Sequence, residues 1–184
     1  AVIVGKLLIF KSGKYHEIKS NSYPSAKYSS LEAIIKEFLS EEHPTIKSAA
    51  FGIAGPIKEQ KCETINLPWK VNGNTLKAII NTSQVHLLND VESNAFGIEV
   101  LSDKDFHVLN VGAPIPGNRG VISAGTGLGQ SGIYWDGTSY HPFACEGGHS
   151  DYSPKTEEES ALMLFLKKKF GGHVSCERLL SGPG

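Results

Sequence analysis

No sign of charge dominates this sequence: 18 Lys and Arg stand against 19 Asp and Glu, a net charge of −1. With both signs well mixed, there is no electrostatic footprint for nucleic acid or for an anionic membrane surface. The one basic run, Lys167-Lys168-Lys169, follows the apolar Leu162-Met163-Leu164-Phe165-Leu166 and reads as a helix end, where it complements the helix dipole. Cysteine is scarce and odd in number. Cys62, Cys145 and Cys176 lie far apart, form no CxxC or Cys/His cluster with zinc spacing, and argue against a disulfide framework. That usage fits a reducing cytosol. No apolar stretch approaches the ~20 residues that span a bilayer, and Ala1-Val2-Ile3-Val4 is far too short for a signal-peptide core. Repeats and low-complexity segments are also missing. The chain reads as a soluble, cytoplasmic protein.

What is present is enough for a real core. At 184 residues, 40% hydrophobic and 20% charged, the chain has ordinary globular composition and can form one large domain or two small ones. Residues 2–10 read as a strand, Lys11-Ser12-Gly13-Lys14 as a turn, and residues 15–23 as a returning strand. A serine N-cap in Ser29-Ser30 opens a helix on Leu31, Ile34, Ile35, Phe38 and Leu39, closed by Pro44. Residues 48–54 form a strand running into Gly55-Pro56; residues 73–80 a helix; residues 84–88 a buried strand ending at Asn89-Asp90; residues 91–101 a helix. This α/β pattern implies some parallel pairing. Ligands in such sheets bind at the carboxyl ends of strands, where both the Gly52–Pro56 turn and Asn89-Asp90 fall.

A second unit begins near Phe106. Residues 106–111 read as a strand, residues 112–118 as a Gly/Pro-rich loop, and residues 120–124 as a strand entering a glycine turn. A hairpin follows on the Asp136-Gly137 turn, and Thr156-Glu157-Glu158-Glu159 opens a helix running through Leu166. The expected division is a small α/β domain over residues 1–105 and the start of a larger one over residues 106–184.

Chemistry concentrates in three places. Ser123-Ala124-Gly125-Thr126-Gly127-Leu128-Gly129 leaves backbone N–H groups uncovered by side chains beside one hydroxyl, which suits a phosphate. It is not a Walker A loop, because no Lys-Ser/Thr follows Gly129; the plainer alternative is a β-hairpin turn. Asp90, at the end of an apolar strand, is placed to accept a hydroxyl proton as that oxygen attacks phosphorus, or simply to cap the next helix. Asn89 offers both a donor and an acceptor, which suits a sugar diol, though turns also use such residues. Glu146 and His149 flank Gly147-Gly148, whose glycines disfavour a helical metal site and favour contacts with sugar hydroxyls. His149 also fits a hydrogen-bonded structural role. Glu177 reads as a first-turn helix residue behind Ser175. A phosphate cradle and a hydroxyl clamp in one chain point to phosphoryl transfer onto a sugar.

Six stretches together resemble the bacterial-type glucokinase family, ATP-dependent hexose kinases of the actin-like superfamily. They are Gly52-Ile53-Ala54-Gly55-Pro56, Asn66-Leu67-Pro68-Trp69, Leu88-Asn89-Asp90, Gly125-Thr126-Gly127-Leu128-Gly129, Glu146-Gly147-Gly148-His149 and residues 173–184. The resemblance implies an actin-like ATPase (ribonuclease H-like) fold, two α/β domains with the active site in the cleft between them. It implies Asp90 as the catalytic base toward the 6-hydroxyl of glucose, and Asn89, Glu146, His149 and Glu177 as hydrogen-bonding partners of the other hydroxyls. Gly125, Thr126 and Gly127 match the motif that faces the nucleotide's phosphates. ATP with Mg²⁺ is the implied donor, glucose the acceptor, a homodimer the assembly, and the first step of glycolysis the setting; no resident metal site is implied.

Two departures accompany the likeness. The family opens with an Asp-x-Gly-Gly-Thr phosphate loop that this sequence does not contain, and Ser181-Gly182-Pro183-Gly184 falls where the family continues toward its adenosine segment. The expectation is a fragment holding half of a nucleotide site, unable by itself to act as an efficient kinase. Two other readings stand beside the glucokinase one. A sugar kinase or repressor of the broader family would carry a zinc-binding cysteine cluster after Glu-Gly-Gly-His, whereas Ser150-Asp151-Tyr152-Ser153-Pro154 follows here. A non-catalytic sugar-binding or regulatory protein on the same fold would have no use for Asp90 as a base.

Overall fold

A computed structural model describes residues 2–41, 44–64, 67–113 and 115–182. Ala1, Asn66, Pro183 and Gly184, named in the sequence reading, lie outside the described residues. Contacts divide the chain into two units, Ala1–Asp90 and Val91–Gly184.

In the first unit, β1 (Val2–Lys11) and β2 (Lys14–Pro24) form an antiparallel hairpin. Its loop, Ser12-Gly13, takes positive φ at both positions (54° and 77°), as a two-residue turn matched to strand twist requires. Helix α1 (Leu31–Leu39) starts where Ser30 accepts the Ala33 N–H at 3.3 Å, and it buries Leu31, Ile34 and Ile35. It ends at Leu39 rather than running to Pro44, with Ser40 as its C-cap. β3 (Ser48–Ile53) pairs in parallel with β6 (Gln84–Asn89), so Ile53 sits opposite Asn89 at the carboxyl ends of two neighbouring strands. The sequence reading misses the short hairpin between them, β4 (Lys61–Glu63) with β5 (Lys70–Asn72). Helix α2 (Gly73–Ile80) follows, capped by Asn72 accepting the Asn74 N–H at 2.9 Å.

One apolar cluster holds these pieces together: Tyr23, Ile34, Trp69, Val71, Leu76 and Leu87 are among its buried members, with Leu76 wholly buried. Trp69 thus serves packing, and Thr64 ties its loop by donating to the Leu67 carbonyl at 2.7 Å.

Helix α3 (Asp90–Ile98) begins directly where β6 ends and stops short of Leu101. The second unit carries a three-stranded antiparallel sheet, β7 (Arg119–Ala124), β8 (Leu128–Trp135) and β9 (Tyr140–Cys145), then α4 (Glu157–Phe170) and α5 (Cys176–Leu180). Thr156 caps α4 through the Glu159 N–H, and Gly171 closes it in the left-handed region (φ 76°) after Lys167-Lys168-Lys169, as the dipole argument expects. Residues 106–111 do not form a strand. Their apolar pattern has the β-propensity, but they pair with no strand among the described residues, and Leu109 is 91% and Val111 88% exposed. Strand formation depends on a partner as well as on propensity.

Candidate functional site

In the first unit, two of the candidate residues fall at the carboxyl end of β6. β6 ends on Asn89, which is half-buried, and Asp90 is the first residue of α3 and exposed. Asp90 therefore stands inside the first turn rather than at the N-cap position before it, where the dipole favours a carboxylate. Asn89 Nδ2 donates to the Gly55 carbonyl at 3.3 Å, which brings the Gly52–Pro56 turn beside the strand end. Gly55 has φ of 151°, which strains any side chain, and a Cβ there would also crowd Cys62 Sγ. Burial, and then Glu63, push the Cys62 thiol above its ordinary range.

The second unit brings three sequence-predicted residues together. Gly147–His149 forms a single 3-10 turn after β9, packed on β8 so closely that a Cβ on Gly148 would overlap the Leu128 carbonyl oxygen. His149 Nδ1 stands 3.2 Å from Glu146 Oε2, and its Nε2 3.6 Å from Glu177 Oε1. Glu177 lies in the first turn of α5, as its local pattern predicts, although Ser175 makes no side-chain capping bond there. Its second oxygen, Oε2, accepts the Leu128 N–H at 3.0 Å.

Antiparallel pairing of the flanking segments explains the proximity. Cys176 N–H donates to Ser150 O at 3.0 Å and Tyr152 N–H to Val174 O at 2.9 Å, so the chain after His149 runs alongside the chain before Glu177. His173 Nε2 meets Asp151 Oδ1 at 2.7 Å on the same seam. Glu146 and His149 are exposed while Glu177 is more sheltered, so the cluster opens to solvent on one side with two carboxylates and an imidazole facing it. Such groups offer acceptors and a switchable donor in several directions, the inventory that a polyhydroxyl ligand uses.

The glycine turn is the three-residue loop between β7 and β8, with Ala124 opposite Leu128. It is therefore a hairpin turn in shape. Gly125 N–H bonds Gly127 O at 2.8 Å, while Gly125 and Thr126 stay exposed. A Cβ on Gly127 would lie 2.6 Å from Glu177 Oε2, so the closeness of that carboxylate requires glycine. The turn and the Glu146–His149–Glu177 cluster are thus neighbours through Glu177. Sequence reasoning assigns nothing to Gly182, whose N–H donates to Gly125 O at 2.7 Å. Only the folded chain brings Gly182 to the hairpin. Among the described residues no group of three or more His, Cys, Asp or Glu is arranged to hold a metal ion.

A family model for glucokinase matches residues 6–184. The glucokinase of Nostoc punctiforme is 37% identical over 172 residues, covering 92% of this chain and 50% of that protein. That of Yersinia enterocolitica is 34% identical over 167 residues, covering 90% and 51%. Among solved structures, the glucokinase of an Antarctic psychrotroph superimposes with a TM-score of 0.81 at 26% identity, over 98% of this chain and 58% of its own. The Balamuthia mandrillaris glucokinase, solved in complex with glucose, shares the fold at 18% identity and a TM-score of 0.66, over 100% and 60%. The chain spans about half the length of the curated relatives it matches. On the matched residues and the shared α/β fold, this chain belongs to the glucokinase family.

Proposed function

We propose that the protein transfers the γ-phosphoryl group of ATP to the 6-hydroxyl of glucose, giving glucose 6-phosphate in the cytoplasm as the first step of glycolysis. In this reading Asp90 accepts the 6-hydroxyl proton as that oxygen bonds to phosphorus. Asn89, Glu146, His149 and Glu177 hold the remaining hydroxyls, and Gly125, Thr126 and Gly127 face the phosphates. The observation that carries the reading is the convergence of Glu146, His149 and Glu177, at 3.2 Å and 3.6 Å, beside a glycine turn.

The exposed turn at Gly125 and Thr126 fits a phosphate group, since a Cβ at Gly125 would meet open space. In this reading Mg²⁺ travels with the donor's phosphates and keeps several of its waters, as that ion prefers. The finer architecture that goes with this reading is the actin-like one, a small α/β domain to residue 105 and the start of a large one from residue 106, in a homodimer.

A coupled assay of glucose phosphorylation by the full-length protein, wild type beside Asp90→Ala, tests it. The variant loses at least about 100-fold in kcat, the usual share of a general base, while calorimetry shows glucose binding retained. Wild-type protein that binds glucose but turns over no hexose would instead make it a sugar-binding protein on a kinase fold.

A further inference from the structure

Two hydrogen bonds pin the glycine turn, one at each end, and both come from the same short stretch of chain. At the β8 end, Glu177 Oε2 accepts the Leu128 N–H at 3.0 Å. At the β7 end, Gly182 N–H donates to Gly125 O at 2.7 Å. Glu177 and Gly182 are linked to each other in turn, because Ser181 N–H bonds the Glu177 carbonyl at 3.0 Å. The remaining oxygen of Glu177 lies 3.6 Å from His149 Nε2. A single side chain therefore touches both the hydroxyl clamp and the turn.

Resting on the functional reading above, we infer that α5 with Gly182 couples the two halves of that site: sugar held at His149 and Glu177 fixes the turn that receives the phosphates. Gly182 is a positioning residue, acting on the turn through its N–H and touching neither ligand. The driving quantity is conformational entropy. A turn with glycine at two of its three positions samples many backbone states when it is unrestrained. A sugar that immobilises Glu177 holds one anchor of the turn, so a nucleotide arriving second has less ordering left to impose. Linkage makes the effect reciprocal, with nucleotide tightening sugar by the same factor.

Calorimetric titration of the full-length protein with glucose, and with a non-hydrolysable ATP analogue and Mg²⁺, each in the absence and presence of the other, reads the coupling directly. Wild type binds each several-fold tighter when the other is present. Gly182→Pro removes the donor, and Ser181 already has the extended conformation (φ −104°, ψ 171°) that a residue before proline needs. This variant loses about fivefold of the coupling, the share of one neutral hydrogen bond, and keeps its affinity for glucose alone. Gly182→Ala retains the N–H and keeps the coupling, the turn giving by a few tenths of an ångström where the new Cβ would stand 3.2 Å from Gly125 O. Equal coupling in wild type and Gly182→Pro overturns the inference.

Hydrogen exchange on the wild type gives a second test that needs no variant. Glucose alone slows exchange of the amides of residues 126–128; unchanged exchange there overturns the inference. A wild type that fails to bind glucose is a separate outcome, overturning the functional reading itself.

Discussion

Asn89 donates its side-chain amide to the carbonyl of Gly55 at 3.3 Å, tying the end of β6 to the turn that leaves β3. The bond holds a side chain of the proposed hydroxyl-binding set in one orientation. Asn89→Ala removes the donor, and the expected loss is about 1 kcal/mol in stability by chemical denaturation. Its glucose KM rises by more than that destabilisation alone produces at a temperature where the variant is fully folded.

Gly148 packs against the Leu128 carbonyl with no room for a methyl group. Because the obstacle is backbone, the turn itself has to move. Gly148→Ala is expected to destabilise by about 1–3 kcal/mol and to weaken glucose binding at the same time, since His149 shifts with the turn. A melt with unchanged midpoint contradicts this.

Cys62 and Cys145 differ in their surroundings. Cys62 is buried, and that burial raises its thiol pKa, whereas Cys145 is exposed. A thiol needs its thiolate and access to react. At neutral pH a disulfide reagent therefore labels Cys145 quickly and reaches Cys62 only on unfolding, which mass spectrometry of timed samples resolves.

Asp136 turns the β8–β9 hairpin. Its carboxylate is held well below the usual range, first by the Ser139 and Thr138 backbone N–H groups, then by His141 and the Thr138 hydroxyl. A depressed carboxylate contributes stability above its unfolded pKa of about 4, and that contribution is lost as pH falls below it. Between about pH 5 and pH 3, the wild-type melting midpoint therefore drops further than that of Asp136→Asn.

Leu76 is wholly buried in the core of the first unit. Leu76→Ala is expected to cost about 2–5 kcal/mol, the range for leucine truncation in a packed core, read as a lower denaturant midpoint.

Local signals carried much of this fold. Serine before an apolar-periodic run marked α1, and Gln84 to Asn89 had the compact apolar character of a buried parallel strand. The hairpin at Ser12-Gly13 was legible because two residues with positive φ suit that turn. The β4–β5 hairpin was not, since strands of three residues leave too little pattern to detect. Residues 106–111 misled for the opposite reason: their composition favours a strand that no described neighbour pairs with. Within the site, Glu146 and His149 were readable as a pair from spacing. Glu177 was readable only by family likeness, because its approach to His149 is made by the seam joining Ser150 to Cys176 and Tyr152 to Val174. Gly182 acts through its backbone, and a sequence does not display backbone partners.

That seam has a thermodynamic consequence. Glu146, His149 and Glu177 all belong to one compact unit, and ordinary main-chain bonds hold them in place. Gathering three side chains around a small polar molecule usually carries an ordering cost at the moment of capture. Here most of that cost falls on chain folding, long before any molecule arrives. The approach of the three side chains should then need no rearrangement, and the ordering left for the moment of capture is confined to Glu177 and the glycine turn it holds.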